Sequence, residues 1–157
     1  MTGRMIAREP VAAKNSIVLV LDQLDELAVE IGSATNTAIT EVGAGELSFP
    51  QWRLIAVLGS AAGPLRPNEI AARMSASMPS TSRLVHRLQR RGLVSSARDP
   101  RDGRGRLISL TPKGAALKSG VVARRRALLE ACLADLDADP ALVDALASIV
   151  QRLVSLA

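Results

Sequence analysis

The fold is decided by residues 67–114, which read PNEIAARMSASMPSTSRLVHRLQRRGLVSSARDPRDGRGRLISLTPKG. Proline suits the first position of a helix, so Pro67 predicts a short helix over residues 67–74. A second helix is predicted over residues 79–91, and Gly92 suits its C-terminal stop because glycine readily adopts the left-handed backbone found there. Two short helices joined by a tight turn are typical of a helix-turn-helix, whose second helix fits the major groove of duplex DNA.

A β-hairpin is predicted directly after the second helix. Residues 93–97 are short and compatible with a strand, and residues 106–110 alternate polar and apolar side chains as a half-buried strand does. The eight residues between them, 98–105, are charged and rich in turn-forming types. This pattern predicts a hairpin with a charged tip, which is the wing of a winged helix-turn-helix.

Helical patterns also precede this unit. Residues 1–12 have no clear pattern and are expected to be frayed. Residues 14–40 then carry apolar side chains spaced three and four apart, which predicts a helix with an apolar seam. Ser48 opens the next helix, and Gln51 three residues later completes the pattern of a capping box.

Two further helices are predicted after the wing. Thr111 and Asp139 are each followed by a proline, which indicates a cap and a first helical turn. The first of these helices is expected to end near Leu136 and the second near Leu156. The predicted fold class is therefore mainly α with a small β-hairpin wing: a winged helix-turn-helix flanked by N- and C-terminal helices.

Charge is concentrated in one part of the chain. The net charge is +5, but residues 66–106 hold ten arginines and only three acidic residues, so that segment is +7 and the remainder is −2. A concentrated positive field attracts a polyanion. A solvated basic face is the alternative, and it loses weight because the same segment carries a pattern that reads a DNA groove.

Several classes of function are disfavoured by the composition. Cys132 is the only cysteine and His86 the only histidine, so no internal disulfide, metal site or cofactor is expected. Ser82 and His86 are four apart but have no evident third catalytic group, so we do not expect an enzyme. No apolar run approaches the ~20 residues of a membrane span, and no signal peptide is evident, so a cytoplasmic protein without membrane contact is expected.

Candidate DNA contacts follow from the helix-turn-helix and wing. Ser80 and Ser82 are short enough to approach base edges in the major groove, and Arg83 can reach a guanine or a phosphate. Arg104 stands between two glycines at the wing tip, where it suits a narrow minor groove of negative potential. The remaining residues predicted to contact DNA are Pro67, Ser77, Pro79, His86, Arg87 and Arg101. Asp102 either orients a nearby arginine or caps the turn.

These motifs resemble the MarR family of bacterial transcriptional regulators. The resemblance covers about residues 47–114 and is carried by 67–72 (PNEIAA), 82–88 (SRLVHRL), 92–94 (GLV), 99–104 (DPRDGR) and 110–114 (LTPKG). His86 and Ser96 depart from the family, which often has an acidic residue and an arginine at these two positions. The partner of Asp102 is therefore open, with Arg98 or an arginine of the second helix as candidates.

The resemblance implies a homodimer on a palindromic operator, with the helix at 79–91 in the major groove and Arg104 in the minor groove. It also implies, for many members, release by a small phenolic or lipophilic ligand. The chain would then be one MarR-like domain over 1–157. Residues 47–111 would form the DNA-binding part, and residues 14–40 and 112–156 the dimerisation helices.

Dimerisation also has support from the residues themselves. The apolar stripes of the terminal helices exceed what a small wing domain needs to cover, and a two-fold dimer would bury the surplus. A monomer with a helical cap is the alternative. The predicted interface residues are Ile17, Leu21, Leu24, Leu128, Leu146, Ile149 and Leu153.

Three smaller assignments complete the prediction. Trp52 and Arg53 could line an effector pocket, with core packing an equal alternative for Trp52. The arginines at 124–126 could contact DNA phosphates or be solvated, and solvation is favoured. Cys132 is expected to pack on an apolar stripe as a small hydrophobe. The predicted function is a sequence-specific regulator, a repressor that binds double-stranded DNA; the alternative is a protein-interaction module of the same fold without DNA binding.

Overall fold

The computed structural model describes residues 9–44, 46–100, 102–134 and 139–155, with only the backbone described for 9–16, 103, 104 and 153–155. Six helices and two strands occur in this part of the chain. In order they are α1 (Glu9–Glu41), α2 (Phe49–Ser60), α3 (Pro67–Arg73), α4 (Met78–Arg90), β1 (Val94–Asp99), β2 (Asp102–Leu110), α5 (Pro112–Cys132) and α6 (Pro140–Ser155). The predicted fold class, mainly helical with a small hairpin wing, is confirmed.

The predicted start signals form real caps. The Ser48 N–H donates to Gln51 Oε1 at 3.0 Å at the start of α2. Thr111 Oγ1 accepts from the Gly114 N–H at 3.1 Å at the start of α5. Asp139 Oδ1 accepts from the Ala141 N–H at 2.9 Å at the start of α6. Each bond satisfies a backbone donor that the helix itself leaves unpaired.

One hydrophobic core joins most elements. It is built around Leu54 and Ile55 of α2, Ile70 of α3, Leu88 of α4 and Val121 of α5, all fully buried. The C-terminal part of α1 and the base of the wing pack onto the same cluster. α4 is therefore fixed by burial of one side while its other side stays exposed.

The wing is longer than predicted. β1 and β2 pair in antiparallel register from Val94 opposite Leu110 to Asp99 opposite Asp102, with an irregularity between Arg98 and Asp99. The predicted loop of eight residues, 98–105, is therefore wrong, because pairing continues almost to the tip. Charge alone does not end a strand when the backbone groups can still pair across the hairpin.

A third extended segment supports the base of the wing. Leu65 lies beside β2, and its backbone N–H and carbonyl exchange hydrogen bonds of 3.0 and 2.8 Å with Ile108. The sequence analysis assigned no structure to this residue. The bridge links the start of α3 directly to the hairpin.

Two helix boundaries also differ from the prediction. α1 begins at Glu9 rather than near residue 14, and Pro10 fits its first turn, so residues 9–12 are helical rather than frayed. α5 ends at Cys132, and Leu136 lies outside the described residues. Cys132 is exposed in the single chain rather than packed on an apolar stripe. None of the described helices combines the length and apolar character needed to cross a membrane.

Candidate nucleic-acid interface

α3 and α4 are joined by a turn that the backbone holds tightly. The N–H groups of Ser75 and Ala76 donate to the carbonyl oxygens of Ala72 and Ala71 at 3.0 and 2.9 Å, which is a Schellman motif. Ser75 has a positive φ of 49°, a conformation that residues with a side chain seldom adopt. The turn fixes the direction in which α4 leaves α3.

α4 begins with a side-chain cap. Ser77 Oγ accepts from the Ser80 N–H at 3.4 Å, and Pro79 occupies the first turn. Ser77 is thus placed by its capping bond, while Pro79 is exposed and Ser80 is half-buried. Met78, the first residue of α4, is also exposed, and the sequence analysis did not single it out.

α4 separates its core side chains from its polar ones. Thr81, Val85 and Leu88 are buried. The opposite face is exposed and consists of Ser82, Arg83, His86, Arg87 and Arg90. The predicted recognition residues therefore share one solvent-facing surface with several positive charges and no acidic residue.

The wing extends this surface with further arginines. Arg98 and Arg106 are opposite each other across the hairpin, and both are exposed. Arg106 Nε donates to Ser96 Oγ at 2.7 Å, which ties its guanidinium across the hairpin to β1. Arg101 lies outside the described residues, and Arg104 is described only by its backbone within β2.

A cleft separates the wing from α4. It has a volume of about 340 Å³, and Pro67, Ser82 and Arg106 are among its lining residues. Pro67, the first residue of α3, is half-buried. The exposed face of α4 and the hairpin are therefore two separate ridges with a groove between them.

An ion pair that the sequence analysis missed joins the wing to α3. Arg66 Nε and Nη2 both donate to Asp99 Oδ2, at 2.9 and 2.6 Å. The hydrogen bond and charge of Asp99, with smaller contributions from Asp102 and Glu69, raise the pKa of Arg66. The two residues are 33 positions apart, so no local pattern could have indicated the pair.

Asp102 has a different environment from Asp99. Asp102 is exposed, whereas Asp99 is buried. The charge of Asp102 acts on Arg66, as the raised pKa of that arginine reflects. Its predicted orientation of a nearby arginine, with Arg98 or an arginine of α4 as the candidates, stays a prediction.

The arginines at 124–126 have specific partners on the helices. Arg124 forms an ion pair with Glu41 of α1, and Arg126 pairs with Glu130 one turn along α5 at 3.0 Å. Arg125 Nη1 donates to Thr35 Oγ1 at 3.5 Å. Solvation was favoured for this run, and Arg124 and Arg126 are indeed exposed, but the three side chains also link α5 to α1 and to itself.

The residues of the candidate effector pocket lie in different environments. Trp52 is 5% exposed and belongs to the hydrophobic core, whereas Arg53 is exposed. Core packing, which was the equal alternative for Trp52, accounts for its position in the single chain. An effector role for either residue stays a prediction.

The predicted interface residues are largely uncovered. Ile17 and Leu21 of α1 are 61% and 55% exposed. Leu146 of α6 is also exposed, while Leu24, Leu128 and Ile149 are half-buried and the side chain of Leu153 is not described. α6 makes at most marginal contact with the other described elements.

No described group of side chains suggests a metal or catalytic site. The described residues contain no cluster of three or more His, Cys, Asp or Glu side chains. Ser82 and His86 are both exposed on α4. The exposed side chains of α4 and the wing instead form a positively charged surface.

These features define a winged helix-turn-helix protein with long terminal helices. A model of the MarR family matches residues 46–105. The chain has the fold of a MarR-family transcriptional regulator, and the family resemblance predicted from the sequence is confirmed. Several solved structures of this fold are described as transcriptional regulators, among them a MarR-family regulator from Rhodococcus sp. RHA1.

Solved structures agree with this classification. A MarR family protein from Bacillus stearothermophilus has a TM-score of 0.77 at 22% identity, covering 90% of this chain and 97% of that chain. A probable transcriptional regulator from Pseudomonas aeruginosa is 27% identical with a TM-score of 0.58, covering 85% and 98%. A mutant of S. aureus MepR bound to an oligodeoxyribonucleotide has a TM-score of 0.61 at 19% identity, covering 88% and 98%. No curated protein sequence matches the chain significantly.

Proposed function

We propose that this chain is a homodimeric transcriptional regulator that binds double-stranded DNA in a sequence-specific manner. The observation that carries the proposal is the division of α4, which buries Val85 and Leu88 and exposes Arg83, His86 and Arg87. A helix held by its apolar face can present its polar face to the major groove. A mutant of S. aureus MepR with the same fold was solved bound to an oligodeoxyribonucleotide, which supports DNA binding as the function.

The proposed contacts divide between the two grooves. Ser80, Ser82 and Arg83 lie in the first turns of α4, where a recognition helix meets base edges. Arg104 belongs to the wing tip and is assigned to the minor groove. Arg87 and the other exposed arginines of α4 and the wing are assigned to phosphates, which position the protein without reading sequence.

The homodimer is proposed from the uncovered apolar surface of the terminal helices. Ile17, Leu21 and Leu146 are exposed in the single chain, although side chains of this kind are normally buried in a soluble protein. A second copy of the chain would cover them and would place two α4 helices on one duplex, ~34 Å apart. Such symmetry calls for a palindromic operator.

Repression with release by a small lipophilic or phenolic ligand is proposed for the same dimer. A ligand that binds better to a dimer with its α4 helices at the wrong spacing would shift the population away from the DNA-bound form. Adding salicylate as a phenolic probe to the protein–DNA complex tests this step. Unchanged affinity across a range of related phenolic acids would argue for a constitutive regulator.

DNA binding is tested by selecting duplexes from a random pool and measuring affinity by gel shift at fixed salt. Arg83→Ala and Arg104→Ala should each weaken binding by roughly tenfold, since a base-reading arginine contributes ~1–3 kcal/mol. Arg126→Ala is the matched control, because it removes the same charge from α5. Unchanged affinity in both test variants would contradict the assigned surface.

The dimer is tested by analytical ultracentrifugation. Leu21→Glu and Leu146→Glu should yield monomers, because each places a charge in the apolar interface. Ala62→Glu is the control, since Ala62 is exposed in the turn after α2. A wild-type monomer that ignores duplexes would favour a protein-interaction module of the same fold.

A further inference from the structure

The end of β1 carries a buried carboxylate. Asp99 is 3% exposed, although it stands near the tip of a two-stranded hairpin. A carboxylate loses its hydration on burial, and this is tolerated only where charge and hydrogen bonds replace the water. Arg66 provides both through two N–H donors to one carboxylate oxygen.

Arg66 is itself held firmly at the start of α3. It is the N-cap residue of that helix, and its backbone N–H donates to Glu69 Oε2 at 2.6 Å. The preceding residue, Leu65, bridges to Ile108 of β2 through two backbone hydrogen bonds. Two consecutive residues therefore contact the hairpin at different positions: Leu65 binds nearer the base, and Arg66 binds near the tip.

The outer part of the hairpin needs the contact with Arg66 for its stability. An isolated two-stranded hairpin is at best marginally stable in water. The strands extend from Ile108 toward the tip at Asp99 and Asp102. The salt bridge between Asp99 and Arg66 ties this outer part of the wing to the start of α3. Gly105 of β2 lies close to Asp99, since a Cβ at position 105 would be 3.2 Å from Asp99 Cβ. A side chain at position 105 would therefore crowd Asp99.

We propose that the Arg66–Asp99 pair is a positioning device that sets the angle between the wing and the helix-turn-helix, and so aims the wing tip at the minor groove. The inference rests on the proposed DNA binding, since it concerns the geometry of the same surface. Neither residue needs to touch DNA in this role. The guanidinium of Arg66 is engaged by Asp99, and Asp99 carries the wrong charge for a phosphate.

Asp99→Asn gives a test whose sign separates positioning from simple electrostatics. Removing a negative charge from a basic surface, and releasing Arg66, would strengthen DNA binding if charge alone mattered. A positioning role predicts instead that Asp99→Asn weakens the contacts that the wing makes with DNA. The wing contribution is isolated with two duplexes that share one central site and differ in their flanks, A-tract or G·C-rich, since a narrow A-tract groove attracts arginine.

The wild type should bind the duplex with A-tract flanks more tightly, by roughly tenfold if the wing contact contributes as much free energy as a base-reading arginine. Asp99→Asn should lose most of that preference. Arg66→Lys keeps the positive charge but loses the two guanidinium N–H donors that bind Asp99. The ratio of its affinities for the two duplexes should therefore lie between those of the wild type and Asp99→Asn. Arg126→Gln, which removes a charge from α5, should leave the ratio unchanged. Tighter binding by Asp99→Asn with the flank preference intact would overturn the proposal.

A measurement without DNA keeps the two proposals distinguishable. Amide hydrogen exchange of the hairpin should accelerate in Asp99→Asn while that of α5 stays the same, because only the wing loses its anchor. Equal exchange in the hairpin would overturn the anchoring role even if the wild type binds DNA normally. Faster exchange in a protein that binds no duplex would contradict the proposed function and leave the anchor itself supported.

Discussion

Gly114 at the start of α5 lies directly against the backbone carbonyl of Leu93, so that a Cβ at position 114 would overlap the carbonyl oxygen. The same oxygen accepts the Thr111 N–H at 3.1 Å, which ties the end of the α4–β1 connection to the start of α5. The atoms that a Cβ would meet belong to the Leu93 backbone, which cannot move aside as a flexible side chain can. Glycine is therefore required at this position by space.

Gly114→Ala should destabilise the protein by about 2 kcal/mol or more, as expected for overpacking at a rigid site. Gly120→Ala is the matched control in the same helix. A Cβ there would meet only Val42 Cγ1 at 3.7 Å, an ordinary contact. Alanine should stabilise α5 at that position by about 0.5–1 kcal/mol, because it is the better helix former. Denaturant unfolding of the two variants checks the opposite signs.

The ends of α3 and α4 allow a second prediction. Gly92 after α4 and Ser75 after α3 both adopt positive φ, 69° and 49°. Gly92→Ala should cost about 1–2 kcal/mol because a Cβ is disfavoured in the left-handed region. Ser75→Gly should be close to neutral, since relief of that strain is offset by the greater freedom of glycine in the unfolded chain. A large loss of stability in Ser75→Gly would show that its side chain does more than occupy the turn.

Two buried threonines should respond oppositely to replacement by valine. Thr81 Oγ1 in α4 has no hydrogen-bond partner among the described residues, so Thr81→Val should stabilise the fold by on the order of 1 kcal/mol. Thr35 Oγ1 in α1 donates to the Ile31 carbonyl at 2.7 Å. Thr35→Val removes that bond and should cost about 1 kcal/mol. Equal effects in thermal unfolding would contradict the distinction.

The link between α1 and α5 predicts a pH dependence. The hydrogen bond and charge of Arg124 lower the pKa of Glu41 below its ordinary value of 4.5. A lowered carboxyl pKa stabilises the fold above the ordinary value, and this stabilisation is lost as the pH falls through the lowered one. The effect is small because both groups are exposed to solvent.

The difference in unfolding midpoint between the wild type and Arg124→Gln should therefore be largest at neutral pH and shrink well below pH 4.5. Added salt at neutral pH should reduce it in the same way, since exposed charges are screened. Arg126→Gln, within a single helix, is the comparison. A difference that grew on acidification would contradict the assigned pair.

Local signals were sufficient for most of the helices. Ser48, Thr111 and Asp139 mark helix starts because their caps need only the next few residues. The two faces of α4 were equally predictable, since a period of 3.6 residues places Val85 and Leu88 together whatever packs against them. The exposed face with Arg83 and His86 then followed without knowledge of the tertiary structure.

Contacts between distant segments were beyond local patterns. The wing was predicted too short because the grip of Arg66 on Asp99 joins residues 33 positions apart. The links of Arg124 and Arg125 to α1 were missed for the same reason, since a run of arginines looks identical whether solvated or paired. The bridge from Leu65 to Ile108 likewise has no signature within either segment.

The amino-acid order by itself determined which segments are helical, which side of α4 is polar, and that a hairpin follows it, because caps and periodicity act over a few residues. The folded chain alone decided where the hairpin points and which arginines are free to act. Both properties depend on which charged groups the fold brings together. A buried carboxylate such as Asp99 needs a positively charged partner, and only the tertiary structure determines that this partner is Arg66.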